Sequence, residues 1–403
     1  MLSPRIQRVL LSPRFVLGLY VLLTIVITFQ HYLRGPESYN NYLIFVKPYF
    51  NLLAGKNLYL PYPEYYQDTY KYSPFFALCM APFALAPTWL GLLAWNALNN
   101  AVYYTAARRL FPDVRRQLIF LLLTLIDVLT ALHNSQANCL LVGLMLWVYI
   151  YLEAGKGGWA GLCLALAALI KVYGIGIGLL FLFYPQPIRN GLLAGLWLVL
   201  LALAPRLVLS TADFLMIYQG WFDIVRASAT GIQLSLMGVL EAWFGVAPTA
   251  KGVVQGVGML LLLLPVAYFR HWRAADYRRL YVASILIFVV IFNQMAESPT
   301  FIIAVAGFMF WFILYRRSTR LSWWLFGLVL IFTSLSATDL CPSSIREAYF
   351  DVYKLKAVPM ILAWVFIQSQ LLLFPRWQAR LAAADSPAPL DAAAGTELSA
   401  ARP

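Results

Sequence analysis

Arg34-Gly35-Pro36-Glu37-Ser38-Tyr39-Asn40-Asn41-Tyr42 opens a long stretch between hydrophobic segments. It runs through Leu53-Ala54-Gly55-Lys56-Asn57-Leu58-Tyr59 and closes on Tyr70-Lys71-Tyr72-Ser73-Pro74. Nine tyrosines fall within residues 34–73. Tyr42, Phe45, Val46, Tyr49, Phe50 and Leu53 recur at helical spacing with Asn40, Lys47 and Asn51 around them. That pattern predicts an amphipathic helix lying in a membrane interface. Gly55 stands where a helix end favours a left-handed residue, and Pro48 inside the pattern predicts a kink or the start of a second helix. An aromatic loop then re-enters at Pro74.

Working outward from this loop, composition places the chain among polytopic membrane proteins. It is 62% hydrophobic and 12% charged, with a mean hydropathy of +0.73. A soluble domain carries about twice that charged fraction. The net charge of +13 is dispersed over the ends of apolar runs, so no basic stripe is offered to nucleic acid. Cys79, Cys139, Cys163 and Cys341 show no paired spacing, which argues against a disulfide or metal framework.

The apolar run after the basic residues 1–14 is too long for a signal-peptide core and reads as a retained first span. About twelve crossings are expected, at 15–33, 88–107, 117–132, 139–153, 157–171, 173–186, 190–208, 251–269, 279–293, 300–315, 321–337 and 357–374. Residues 74–85 are too few to cross, since a spanning helix needs about 20 residues. The fold class is therefore all-α: a membrane domain over 15–376 with 34–73 as its first outer loop. Residues 377–403, rich in Ala, Pro and Ser, form a tail expected to be disordered. Arginine clusters at 108–116, 270–279, 316–320 and 376–380 place both termini in the cytoplasm. Residues 34–73, 133–138, 208–250, 293–300 and 338–356 then face the other side.

The polar chemistry collects on that outer face. Asp127 lies inside the third span, where an ionisable group is a functional candidate because burying it is costly. His133-Asn134-Ser135-Gln136-Ala137-Asn138 follows, either as a capped turn or as hydrogen-bonding groups for a sugar or phosphate. Lys171 ends the fifth span in Ile170-Lys171-Val172-Tyr173, either snorkelling to the interface or meeting a lipid phosphate. Glu297 and Ser298 sit in Asn293-Gln294-Met295-Ala296-Glu297-Ser298-Pro299-Thr300, at the mouth of two spans. No phosphate-cradling glycine loop, zinc site, nucleophile elbow or Asp-x-Asp pair occurs, so a reaction without metal or cofactor is expected.

Leu53-Ala54-Gly55-Lys56-Asn57-Leu58-Tyr59, Tyr70-Lys71-Tyr72-Ser73-Pro74-Phe75-Phe76-Ala77-Leu78, Ala81-Pro82-Phe83-Ala84, Ser135-Gln136-Ala137-Asn138 and Ile170-Lys171-Val172-Tyr173 together resemble glycosyltransferase family 87. These are polytopic enzymes of the C-type membrane fold that include bacterial polyprenol-phosphate-mannose-dependent mannosyltransferases. The resemblance implies an enzyme of the bacterial inner membrane. It would transfer a sugar, plausibly mannose, from a polyprenyl-phosphate donor to a lipid-linked or cell-envelope acceptor with inversion, on the non-cytoplasmic face. The family's catalytic aspartate falls on Asn41, beside Asn40, and an amide accepts no proton. Glu37, one helical turn upstream, is the expected base, with Glu297 or Asp127 as alternatives. Gln136, Asn138, Lys171 and Tyr173 would hold sugar or phosphate. A transporter or flippase of a lipid-linked or sugar substrate is the rival reading.

Overall fold

The computed structural model describes residues 9–228, 233–316 and 319–385. Arg5 and Arg8 of the basic N-terminus and residues 386–403 of the expected tail lie outside them. Among the described residues the chain is helical and contains no strand, as apolar runs require when no water is present to bond the backbone.

The first half comprises α1 (Pro13–Arg34), α2 (Asn40–Leu53), α3 (Pro74–Cys79), α4 (Ala81–Ala84), α5 (Thr88–Leu110), α6 (Val114–Leu123), α7 (Leu125–His133), α8 (Asn138–Glu153) and α9 (Gly157–Ile170). A 3-10 helix, Val172–Phe183, and α10 (Pro187–Leu203) follow. The second half adds α11 (Thr211–Ser228), α12 (Leu236–Phe244), α13 (Lys251–Leu263), α14 (Ala275–Ile291), α15 (Phe301–Tyr315), α16 (Leu321–Leu328), α17 (Val358–Leu372) and α18 (Phe374–Asp385). Helix α18 covers the first residues of the stretch expected to be a disordered tail, and buries Trp377.

Among the described residues, four helices are long and apolar enough to cross a membrane, or up to six if two bent pairs each count once. Twelve crossings were expected. The difference is one of length and polarity. Segments 138–153, 157–170, 172–183 and 321–337 are shorter than a bilayer-spanning helix of about 20 residues. Helix α5 has the length, but Asn96, Asn99 and Asn100 depress its hydropathy.

Those asparagines form one face, and each has a partner. Asn96 donates to Thr28 Oγ1 at 2.9 Å and Asn100 to Thr24 Oγ1 at 2.6 Å, tying α5 to α1. Such polar contacts between helices replace the hydrophobic drive that lipid does not supply. Asn99 accepts the Leu140 N–H at 3.1 Å, and the Trp95 indole donates to Ser135 O at 3.0 Å. Helix α5 therefore fixes the turn that carries Gln136 and Asn138.

Helix α2 has the expected amphipathic pattern and ends at a left-handed Gly55 (φ 62°). It runs through Pro48 as one helix, with no second start there. Five of the nine loop tyrosines are buried, and several hydroxyls cap main-chain carbonyls within the loop: Tyr59 on Tyr72 O at 3.0 Å, Tyr62 on Asn57 O at 2.7 Å, Tyr70 on Ser73 O at 2.8 Å. Phe45 on α2 packs edge-on against Tyr72, Phe76 and Trp95 at centroid distances of 5.0–5.5 Å. Edge-to-face aromatic pairs add about 0.5–1.5 kcal/mol beyond area burial. The loop is a packed lid.

Helices α5 and α8 pack closely at Gly143, where an added Cβ would stand 2.9 Å from the backbone of Val102 and Tyr103. Backbone cannot swing aside, so Gly143→Val is expected to destabilise the protein by about 1–3 kcal/mol. Thermal unfolding in detergent reads this directly; an unchanged midpoint would mean the two helices separate without cost.

Candidate active site

A cavity of about 540 Å³ opens beneath the lid, between α2, the turn after α7, the α9–3-10 junction, α11, α13 and the loop after α14. Its polar wall carries Asn41, Asp68, Lys71, Gln136, Lys171 and Glu297; its apolar wall carries Trp221, Val225, Met259, Phe288 and Phe292.

Lys171 is the centre of the polar wall. Helix α9 stops at Ile170, and Lys171 adopts an extended backbone (φ −140°, ψ 120°) before the 3-10 helix begins. Gly174 permits that turn: a Cβ there would meet Ala167 O at 2.7 Å. Lys171 Nζ donates to Asn138 Oδ1 at 2.8 Å and to Gln136 Oε1 at 3.4 Å. Gln136 Nε2 in turn donates to Glu297 Oε2 at 3.4 Å, and the Tyr72 ring lies 5.9 Å from Nζ. Among the described residues Lys171 has no carboxylate within ion-pair distance, so its charge remains available to an anion.

The cavity's other carboxylate, Asp68, belongs to the lid. Its backbone is left-handed (φ 75°), a conformation costly for a non-glycine residue and characteristic of functional sites. The carboxylate accepts from Thr69 N at 2.7 Å and pairs with Lys71 Nζ at 2.9 Å. Asn40 holds this segment in place through two hydrogen bonds to the main chain of Gln67, at 3.0 and 2.8 Å. Burial first, then the Glu297 and Asp68 carboxylates, push the Tyr72 hydroxyl up, so Tyr72 sits in the field of both acids.

Of the candidates named from sequence, Asn41, Gln136, Lys171, Tyr173 and Glu297 line the cavity, and Asn138 supports Lys171 from behind. Asn41 Nδ2 donates to Asn134 O at 2.9 Å, a bond an aspartate could not make. The Tyr173 hydroxyl and Gln294 Nε2 are buried atoms of cavity-lining residues without a hydrogen-bond partner among the described residues. The others stand elsewhere. Glu37 is exposed on a 3-10 turn, Pro36–Tyr39, that precedes α2, so it does not share the Asn41 face as one continuous helix would require. Asn40 braces the lid. Asp127 is buried and accepts from Ser334 Oγ at 2.7 Å; His133 faces His31 at 3.0 Å. Ser298 accepts from Lys356 at 2.6 Å.

Asp68, Lys71 and Trp221 were missed from sequence. The lid residues lie in an irregular segment with no periodicity to aim them, and Trp221 belongs to α11, an 18-residue helix in a stretch expected only as outer loop.

Described residues that are helical throughout, with apolar helices long enough to cross a membrane, define a membrane protein. The model of glycosyltransferase family 87 matches residues 70–295, more than half of the chain, and the chain belongs to that family. It is a glycosyltransferase. The match contains the motifs at 70–78, 135–138 and 170–173 on which the resemblance was drawn. No curated protein matches the chain.

Proposed function

We propose that the protein transfers a sugar, plausibly mannose, from a polyprenyl phosphate to a lipid-linked or cell-envelope acceptor, with inversion. The observation that carries this reading is Lys171: a cation held by two neutral amides, without a paired carboxylate, where a polar wall meets an apolar one. Its ammonium would neutralise the lipid phosphate, whose charge grows as the bond to the sugar breaks. Gln136, Gln294 and Tyr173 would bond sugar hydroxyls, and the Trp221–Phe292 wall would take the first prenyl units.

Asp68 is proposed as the base in place of Glu37. It lines the cavity, is paired with Lys71 and not with the Lys171 group, and would take a proton from the acceptor hydroxyl. As that oxygen attacks the anomeric carbon, the bond to phosphate breaks and its electron pair leaves on the phosphate oxygen. Glu297, linked to Lys171 through Gln136, balances the cation when no phosphate is bound. This reading retains twelve crossings, both termini in the cytoplasm, and the cavity on the non-cytoplasmic face of a bacterial inner membrane.

Purified protein incubated with a panel of polyprenyl-phosphate sugars and an acceptor extract should release polyprenyl phosphate from one panel member. Consumption of nucleotide sugars instead, with the lipid donors untouched, would overturn the donor class.

A further inference from the structure

A second cavity, of about 570 Å³, lies at the opposite end of α9 from Lys171. That helix begins at Gly157 on the cavity wall and ends at Ile170, about 20 Å away at 1.5 Å per residue. The walls are Lys156 and Trp159 at the start of α9, and Gln186 and Arg189 at the start of α10. Among the described residues no carboxylate lines it. The nearest, Glu153, is engaged by Arg278 in two hydrogen bonds of 2.7 and 3.0 Å and by the Tyr184 hydroxyl at 2.6 Å.

Both cations are therefore uncommitted to an acid. Arg189 Nη1 bonds only the neutral Gln186 Oε1, at 2.7 Å, and Lys156 makes no ion pair among the described residues. Gln186 holds that guanidinium from a left-handed backbone (φ 59°), a strained conformation kept at the cavity rim. The walls are built: Trp197 Nε1 donates to Gly158 O at 3.1 Å and Asn190 Nδ2 to Pro185 O at 3.0 Å. Beside the cavity runs the least buried of the four candidate membrane spans among the described residues. Ile188 and Leu192 are 79% and 70% exposed, and only 6% of the α10 span is buried within the protein. An apolar helix so little covered faces lipid.

We propose that this cavity binds the phosphodiester headgroup of an anionic phospholipid from the adjoining leaflet. Lys156 and Arg189 approach the phosphate from opposite walls, while the exposed α10 side chains and the Trp159 indole lie along the acyl chains. Paired cations with a fork-shaped guanidinium favour phosphate, and the apolar flank favours a lipid over a free ion. The site is separate from the transfer cavity and does not depend on the reading proposed for it.

Native mass spectrometry of the full chain released from detergent tests this. One phosphatidylglycerol should be retained in preference to phosphatidylcholine. Lys156→Met with Arg189→Gln should weaken that retention by at least roughly tenfold, whereas Arg115→Gln, an exposed arginine at another helix end, should not. Lys156→Met alone removes an exposed side chain and should weaken retention several-fold even if the double variant fails to fold; Lys156→Arg should keep it. Equal retention of phosphatidylglycerol by the folded variants, equal retention of phosphatidylcholine by the wild type, or displacement of the lipid by millimolar inorganic phosphate would overturn the proposal.

Discussion

Asp68→Asn should lower turnover by about 10²–10⁴-fold while donor binding stays within about twofold of wild type, the range a general base contributes. The substitution keeps the side-chain shape, and the amide oxygen can still accept from Thr69 N, so the left-handed turn is retained. What it removes is the proton acceptor, together with the charge that pairs with Lys71. Glu297→Gln gives the contrast: it leaves a group able to bond Gln136 and is expected to alter donor affinity more than the chemical step. Glu37→Gln should be close to silent, because that residue is exposed outside the cavity. Single-turnover kinetics with preformed donor complex separates the three variants. Full activity in Asp68→Asn, with loss in Glu297→Gln, would transfer the role of base to Glu297.

Lys171→Met should weaken binding of the lipid-phosphate donor by roughly ten- to a hundredfold, equivalent to about 1.5–3 kcal/mol for one charge-assisted contact. Methionine matches much of the lysine stem, leaving Asn138 and Gln136 in place but without their cation. Equilibrium binding of a fluorescent polyprenyl phosphate reads this, and unchanged affinity in the variant would leave Lys171 a lysine snorkelling to the interface.

The sequence by itself determined that the chain is helical and rich in apolar segments, because long continuous apolar runs, unlike the alternating strands of a barrel, satisfy their backbone in lipid as helices. It also determined the amphipathic helix 40–53, whose periodicity is a local property. It marked Gln136, Lys171 and Glu297 as polar groups beside apolar runs, where their presence costs enough to need a reason. Tertiary structure alone decided which of these meet. Lys171 reaches Asn138 and Gln136 because Trp95 and Asn99 of α5 hold the intervening turn, contacts about 40 residues apart that no local pattern encodes. The same limit explains Glu37 and Asp68. A helix continued back from Asn41 would have put Glu37 on the site face, but the chain breaks at Tyr39 into a 3-10 turn. Asp68, in an aperiodic stretch, enters the cavity because Asn40 fastens Gln67 to the start of α2. The tyrosines, alike in sequence, divide only on folding. Five are buried in the lid's packing, while Tyr72 is placed beside Lys171, since burial is a property of the whole fold and not of the residue.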